Sequence, residues 1–335
     1  MTTVVPPVLL SAREAVEPVL REAVGKLEPH TRGVCEYHFG WQNADGSPAT
    51  SGGKALRPAM VLLGARSAVP DCDPPLPAAA AVELVHNFSL LHDDVMDNDT
   101  ARRHRPTAWT IFGRSAALLA GDALLALATD VLLEKNSPHT AAAVRWLSAA
   151  TRTLIAGQAA DLDFERRNDV RLDECLQMAH DKTAVLLGCA ASIGALYLGA
   201  EQREVTRLHT FGVELGMAFQ LVDDLLGLWG DPEVTGKPVL SDLRTRKKTV
   251  PVVHALNSGT PEGERLRRLY DQPDPLTEDE LQEAAEMVQR TGSADWTRAE
   301  CERRLATARQ HLGSGPPEVI DSLTELAEFI VRRKH

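Results

Sequence analysis

The sequence predicts an all-α protein, and three observations support this fold class. Alanine and leucine are abundant whereas aromatic residues make up only 4% of the 335 residues, a composition that favours helices over sheets. Apolar residues recur at helical spacing in one segment after another. No segment alternates apolar and polar residues over a length useful for a strand. We expect a single domain over residues 1–335, with a loose arm at residues 1–7.

The predicted helices follow one another along the chain. Ser11 is a candidate N-cap of the first helix, because Glu14 follows it three residues later. Residues 28–53 are rich in Gly, Asn, Asp, Ser and Pro and predict a loop, after which a helix starts near Arg57. Further helical patterns cover residues 76–98, 114–135, 139–166, 171–199, 201–230, 250–257, 277–291, 295–312 and 317–333.

Composition and charge exclude several classes of protein. The net charge of −11 argues against nucleic acid as the main partner. The N-terminus lacks the basic and apolar regions of a signal peptide, and no uninterrupted apolar run approaches the length of a membrane span. These features predict a cytoplasmic protein without a transmembrane segment. A reducing compartment also suits the five cysteines, which are scattered and form no CxxC motif: Cys35, Cys72, Cys175, Cys189 and Cys301.

The stretch from Glu83 to Thr107 carries the strongest chemical signal. An apolar helix becomes acidic at Asp93, Asp94 and Asp97, and Asp93 and Asp97 lie one turn apart on the same face. Carboxylate oxygens are ligands that Mg²⁺ prefers, whereas the arginines that follow at 102, 103 and 105 suit a phosphate. The pattern predicts a metal–phosphate site at the polar end of the helix. A solvated acidic helix end remains the alternative for one such cluster.

A second acidic helix end repeats this logic about 130 residues later. Asp223 and Asp224 end another apolar segment, and basic residues follow at Lys237 and from Arg244 to Lys248. Lys54 and Arg57 follow two glycines at a helix start and form a candidate anion cradle. Because two such sites are difficult to explain as solvated faces, the chain is predicted to act on phosphates with the help of a metal.

Two helices outside the acidic sites also carry predictions. Residues 114–135 are apolar around most of the helix circumference, which predicts burial in the core or in a subunit interface, and hence a homodimer. Gln158 and Asp161 share one face of the next helix and are predicted as ordinary surface residues.

At these motifs the chain resembles a known family, the all-α trans-isoprenyl diphosphate synthases, or polyprenyl synthetases. GGKALRP at 52–58 is similar to the family's GGKxxRP, and LLHDDVMDNDTARRHRP at 90–106 resembles its first aspartate-rich motif. GQAAD, KT, FQLVDD and GKPVLSDLRTRKKT follow in the family's order up to Thr249. The resemblance implies a helical bundle around a deep central cavity, the isoprenoid synthase fold, and is greatest to short-chain geranylgeranyl diphosphate synthases.

The resemblance also implies a reaction and a role for each matching residue. An allylic diphosphate (dimethylallyl, geranyl or farnesyl) ionises, and isopentenyl diphosphate attacks the carbocation. Asp93 and Asp97 would bind Mg²⁺ on the allylic diphosphate, and Asp223 a further Mg²⁺ from the opposite helix. Thr183 and Gln220 would face the developing cation and, with Lys182, are candidate catalytic residues. The allylic diphosphate would be held by Arg102, Lys182, Lys237 and Lys247, and isopentenyl diphosphate by Lys54, Arg57, His86 and Arg103.

The chemistry requires no strong side-chain base, because the departed diphosphate can accept the proton. His86 is therefore expected as a phosphate donor, and His92 as a residue on the helix surface. Phe88 and Ser89 precede Asp93 by five and four residues. A bulky residue followed by a small one resembles the pattern of family members that make the C20 product, with Phe88 as the floor for the growing chain.

One departure from the family pattern keeps alternatives open. Gly227 stands where many members have a third aspartate; Asp231 could substitute in part, so direct ligation by Asp224 or Asp231 stays open. The alternatives are a farnesyl diphosphate synthase, an inactive partner subunit of a heteromeric synthase, and a class I terpene cyclase. A cyclase typically carries an NDxxSxxxE-like second motif, and the isopentenyl-binding set Lys54, Arg57 and Arg103 would be idle in it.

Overall fold

The computed structural model describes residues 5–49, 53, 55–134, 138–231, 239–313 and 315–331, and its architecture confirms the predicted all-α class. Its two strands are two residues long and pair antiparallel as a hairpin, β1 (Ala101–Arg102) with β2 (Arg105–Pro106). The helices are α1 (Pro7–Gly25), α2 (Pro29–Phe39), α3 (Leu56–Ala68), α4 (Leu76–Met96), α5 (Ala108–Phe112), α6 (Arg114–Leu133), α7 (Thr140–Phe164), α8 (Leu172–Ala179), α9 (Val185–Tyr197), α10 (Gln202–Trp229), α11 (Ser241–Arg244), α12 (Val250–Leu256), α13 (Pro261–Asp271), α14 (Glu278–Arg290), α15 (Ser293–Gln310) and α16 (Pro317–Val331).

The described residues fall into two compact units. The first contains those within 1–151, 186–212 and 311–326, and the second those within 152–185, 213–310 and 327–335. In the first unit α4 packs against α1, α3 and α6, and most of its side chains are buried. In the second unit α12 contacts α8, α13, α14 and α15. The single domain expected over the whole chain stays a prediction.

Three local predictions about helices were wrong. The first helix begins at Pro7, whose lack of an N–H suits a first turn, and Ser11 lies inside it with its hydroxyl bonded to the Pro7 carbonyl. The predicted loop at 28–53 contains α2, because the Glu28 side chain accepts the N–H groups of His30 and Thr31 at its N-terminus. No helix was predicted between residues 257 and 277, yet α13 begins there at Pro261, where the Thr260 hydroxyl accepts from the Gly263 N–H.

One helix in the described part of the chain, α6, is long and apolar enough to cross a bilayer, with a mean hydropathy of 1.9. The packed core helix of a water-soluble protein has the same properties. The predicted absence of a transmembrane segment therefore stays a prediction.

Candidate functional site

The C-terminal end of α4 carries the first acidic cluster. Asp97 caps the helix through its N–H, which donates to the Asp93 carbonyl at 2.8 Å, so the two partly buried aspartates lie one turn apart as predicted. Asp94 turns inward and is 1% exposed. Carboxylates at this end of a helix meet the negative end of its dipole. A cation bound at this end of the helix would therefore stabilise them.

The hairpin that follows α4 positions the arginines. Arg102 donates through Nε to Asp94 Oδ1 at 2.6 Å, and burial raises the pKa of Asp94 to about 6. Arg103 occupies the turn between the strands with a φ of +53°. Arg105 anchors the hairpin by donating to the Gln42 carbonyl at 2.9 Å and by lying over the Tyr37 ring. The backbone thus fixes Arg102 and Arg103 beside the acidic end of α4.

A basic cluster lies in the same unit and includes three of the residues predicted to bind isopentenyl diphosphate. Burial, together with the charges of Arg57 and Arg103, lowers the pKa of His86 well below its usual value. Burial and the same arginine, Arg103, lower the pKa of His38 to about 3. Two imidazoles kept neutral by burial and by neighbouring guanidinium groups indicate a place where an anion would be favourable.

The sequence analysis missed His38, because it lies on α2, within the stretch predicted as a loop. Its Nε2 atom is buried and has no hydrogen-bond partner among the described residues. No motif pointed to this histidine. Lys54 and Lys237, two further predicted ligands of the substrates, lie outside the described residues.

In the second unit a buried carboxylate holds two predicted diphosphate-binding lysines. Lys182 and Lys247 both pair with Asp161 Oδ2, the latter at 3.4 Å. Burial favours the neutral acid, but the two ammonium groups outweigh it and lower the pKa of Asp161. The prediction that Gln158 and Asp161 are surface residues was wrong, since they are 5% and 7% exposed.

Lys182 and Thr183 belong to a π-helical turn, His180–Ala184, between α8 and α9. Such turns are frequent at functional sites because they redirect side chains within a helix. Thr183 Oγ1 donates to Gln220 Oε1 at 2.5 Å, and Gln220 Nε2 donates to Asp224 Oδ1 at 2.7 Å. The two candidate catalytic residues Thr183 and Gln220 are therefore brought into direct contact.

Asp224 points into the second unit, away from a ligand role. Its second oxygen accepts the Val250 N–H at 2.8 Å, and burial raises the pKa of Asp224 to about 7. Its neighbour Asp223 is only partly buried. The two adjacent aspartates on this helix, Asp223 and Asp224, thus have different surroundings, which the sequence alone could not show.

Gly227, the departure from the family pattern, lies directly against Asp242. A side chain at position 227 would overlap the Asp242 carboxylate. α11 is held there by Ser241, whose hydroxyl donates to the Gly227 carbonyl at 3.3 Å, and by the Leu240 N–H, which donates to the Leu228 carbonyl at 3.2 Å. The Asp242 carboxylate on α11 thus occupies the place beside position 227 where the family's third aspartate side chain would lie. The sequence analysis did not single out Asp242.

Phe88 and Ser89 are both buried on α4, at 5% and 7% exposure. The Ser89 hydroxyl donates to the His86 carbonyl at 2.8 Å, so its polar group is satisfied within α4. The prediction that His92 is a helix-surface residue was wrong. Its side chain is 16% exposed because the ring packs edge-on against Phe88.

The carboxylates fit a divalent metal that is completed by substrate. In the described ranges, no three His, Cys, Asp or Glu side chains are grouped so that they alone could hold a metal ion. Mg²⁺ commonly uses only one or two protein carboxylates and takes its remaining ligands from water and substrate phosphates. The pair Asp93 and Asp97, at the negative end of α4, matches that donor set.

Comparisons with known proteins agree with this chemistry. The family model for polyprenyl synthetase matches residues 46–288. Among curated proteins of Mycobacterium tuberculosis, a (2E,6E)-farnesyl diphosphate synthase is 48% identical over 98% of this chain and 93% of its own length. A geranylgeranyl diphosphate synthase of the same organism is 42% identical over 96% and 92%. The crystal structure of a polyprenyl synthetase from Streptomyces coelicolor A3(2) is 46% identical, with a TM-score of 0.92, over 98% of this chain and 100% of that chain.

Proposed function

Because this chain belongs to the polyprenyl synthetase family and is a prenyltransferase that makes a short-chain prenyl diphosphate, we propose that its end product is the C20 compound, geranylgeranyl diphosphate. The single observation that carries the proposal is the position of Phe88 on α4. Each turn of a helix rises about 5.4 Å, close to the length of one isoprene unit. A chain that grows back along α4 from Asp93 passes the small Ser89 and meets the buried Phe88 ring.

We assign the substrates to the residues that the sequence analysis predicts for them. Arg102, Lys182, Lys237 and Lys247 hold the allylic diphosphate, and Lys54, Arg57, His86 and Arg103 hold isopentenyl diphosphate. Arg102 and Lys182 are preorganised for this task, because Asp94 and Asp161 fix their side chains. Fixed cations stabilise the negative charge that develops on the leaving diphosphate.

Thr183 and Gln220 lie beside the developing cation in this proposal. Their mutual hydrogen bond fixes the Gln220 amide, so its dipole is oriented before the reaction begins. The departed diphosphate accepts the proton from the condensed product, and no side chain needs to act as a general base.

We propose Mg²⁺ as the divalent metal on which the family depends. Asp93 and Asp97 would hold one such ion on the allylic diphosphate, and Asp223 would hold a further one. When bound, it would neutralise charge on the diphosphate leaving group. We also propose a homodimer in the cytoplasm, without nucleic acid as a partner.

A second candidate, farnesyl diphosphate as the end product, is favoured by one observation. The curated relative with 48% identity is named a farnesyl diphosphate synthase. The two candidates share every step up to the C15 product, so they differ only in whether a farnesyl chain is extended once more.

The deciding experiment supplies labelled isopentenyl diphosphate together with each of the dimethylallyl, geranyl and farnesyl starters. We expect the C20 product from all three. If the C15 product accumulates and farnesyl diphosphate is not consumed, the second candidate is correct. Incubation with farnesyl diphosphate alone is the control, because a hydrocarbon or terpene alcohol in that tube would indicate a cyclase.

A further inference from the structure

His92 lies one helical turn after Phe88, on the same face of α4. The two ring centroids are 4.9 Å apart and the ring planes meet at 67°, an edge-to-face arrangement that is favourable for aromatic rings. Because Phe88 is 5% exposed, a shift of its ring requires its packing neighbours to move. The His92 ring is one of these neighbours.

The other side of the His92 ring is fixed by α6. His92 Nε2 lies 2.9 Å from the Leu118 carbonyl oxygen, so the Nε2–H donates to that carbonyl. A Cβ atom at Gly121, one turn further along α6, would overlap the ring, and the three heavy atoms nearest to such a Cβ all belong to His92. The His92 ring therefore fits against α6 only because residue 121 is a glycine and has no side chain.

We propose that His92 is a positioning residue for product length, which it controls through Phe88. The Phe88 side chain has a broad torsional range at its second rotatable bond, so packing decides where its ring stands. The His92 ring, bonded to α6, keeps the Phe88 ring across the path of the growing chain. This inference rests on the proposed function, because it takes Phe88 as the residue at which elongation stops.

The test measures the ratio of C25 to C20 products for four proteins: wild type, Phe88→Ala, His92→Ala and the double variant. We expect His92→Ala to raise the ratio about fivefold, the factor that corresponds to about 1 kcal/mol of coupling between packed neighbours. Because His92 acts through Phe88, the double variant gives the same ratio as Phe88→Ala alone. An additive effect in the double variant would overturn the proposal.

A second variant tests the contact of His92 with α6, in both the wild-type and the His92→Ala backgrounds. Gly121→Ala should change the product ratio in the wild-type background, because the new methyl group displaces the ring. In the His92→Ala background the space is vacant and the same substitution should leave the ratio unchanged. Equal effects in both backgrounds contradict the inference.

The matched control is His209→Ala, which removes a histidine ring from an edge-on contact with Trp146 in the same unit. It should leave the product ratio unchanged, since the ring that it removes packs against Trp146 and not across the proposed floor at Phe88. If Phe88→Ala leaves the ratio unchanged, the proposed floor is wrong. If Phe88→Ala shifts products and His92→Ala does not, only the present inference fails.

Discussion

At the scale of single residues, buried carboxylates hold the cations that are proposed to bind diphosphate. Asp94 lies behind Arg102, and Asp161 lies behind Lys182 and Lys247. Each carboxylate fixes a long side chain that would otherwise lose rotamer freedom when substrate binds. The same residue type therefore has two tasks here: Asp94 and Asp161 position cations, while Asp93 and Asp97 are proposed to bind metal.

The proposed metal ligands predict a large loss of activity on substitution. Asp93→Ala or Asp223→Ala should lower turnover by about 100-fold or more, because each removes a carboxylate from the clamp that neutralises the leaving group. Steady-state kinetics at saturating Mg²⁺ measure this, and circular dichroism should show an unchanged helical content. Asp71→Ala, on an exposed loop, is the control. Near-normal turnover of either variant would show that the assignment is wrong.

The lowered pKa of His38 predicts that the stability of the fold depends on pH. Its pKa is about 3 in the folded protein and about 6.5 in the unfolded chain, so below pH 6.5 the unfolded chain binds a proton that the fold excludes. The stabilisation is complete above pH 6.5 and is lost as the pH falls toward 3. From pH 7 to pH 5 this histidine should lower the free energy of unfolding by about 2 kcal/mol.

Urea unfolding of wild type and His38→Asn at both pH values measures this effect. The variant should lose about 2 kcal/mol less than wild type over that range, because both proteins share all other titrating groups. Parallel losses in the two proteins would contradict the pKa shift of His38.

At the scale of elements, one aspartate joins α10 to α12 and orients the site. Asp224 accepts from Gln220 on its own helix and from the first backbone N–H of α12. That N–H is among the amides that a helix leaves without an internal partner. Asp224 thus caps α12 and fixes the amide that contacts Thr183.

Loss of this carboxylate should destabilise the protein. Asp224→Ala leaves the buried Val250 N–H and the partly buried Gln220 amide without their acceptor and should cost about 2–4 kcal/mol in the free energy of unfolding. Equilibrium urea denaturation measures the loss. Asp231→Ala, at an exposed position just beyond α10, should change stability by less than about 0.5 kcal/mol. Equal stabilities of the two variants would refute the capping role.

At the scale of the whole molecule, α6 carries the exposed apolar surface that the proposed homodimer would bury. Leu118, Leu119 and Leu133 are 37%, 62% and 54% exposed, although the opposite face of the helix packs against α4. Large exposed leucines on one helix are typical of an interaction surface.

We expect sedimentation to show a dimer at micromolar concentration, and Leu119→Glu to weaken it by about 100-fold or more. The reason is that an unpaired carboxylate in an apolar interface costs several kcal/mol. Leu10→Glu replaces a leucine that is 55% exposed on α1 and should leave the dimer intact. A monomeric wild type, or a dimer that tolerates Leu119→Glu, would refute the proposed interface.

The sequence by itself determined the helical class, the span of most helices and the chemical types at the site. These features depend on local signals: apolar spacing places α4, α6 and α10, and aspartates at helix ends followed by arginines mark the phosphate chemistry. The sequence analysis did not predict α2, because the N-cap of this helix is a glutamate and its apolar pattern is weak. The proposed metal ligands are identified by residue type and by their position at a helix end, Asp93 and Asp97 at the end of α4 and Asp223 on α10.

Only the tertiary structure decided which polar residues turn inward and what they hold. Asp94, Asp161 and Asp224 look like surface residues in the sequence, yet each is buried against a partner from another segment. The surroundings of His38, His92 and Asp242 are likewise formed by residues distant in sequence. The physical reason is that burial and pairing depend on which helices pack together, and the free energy of a buried charge is set by neighbours that local sequence does not contain.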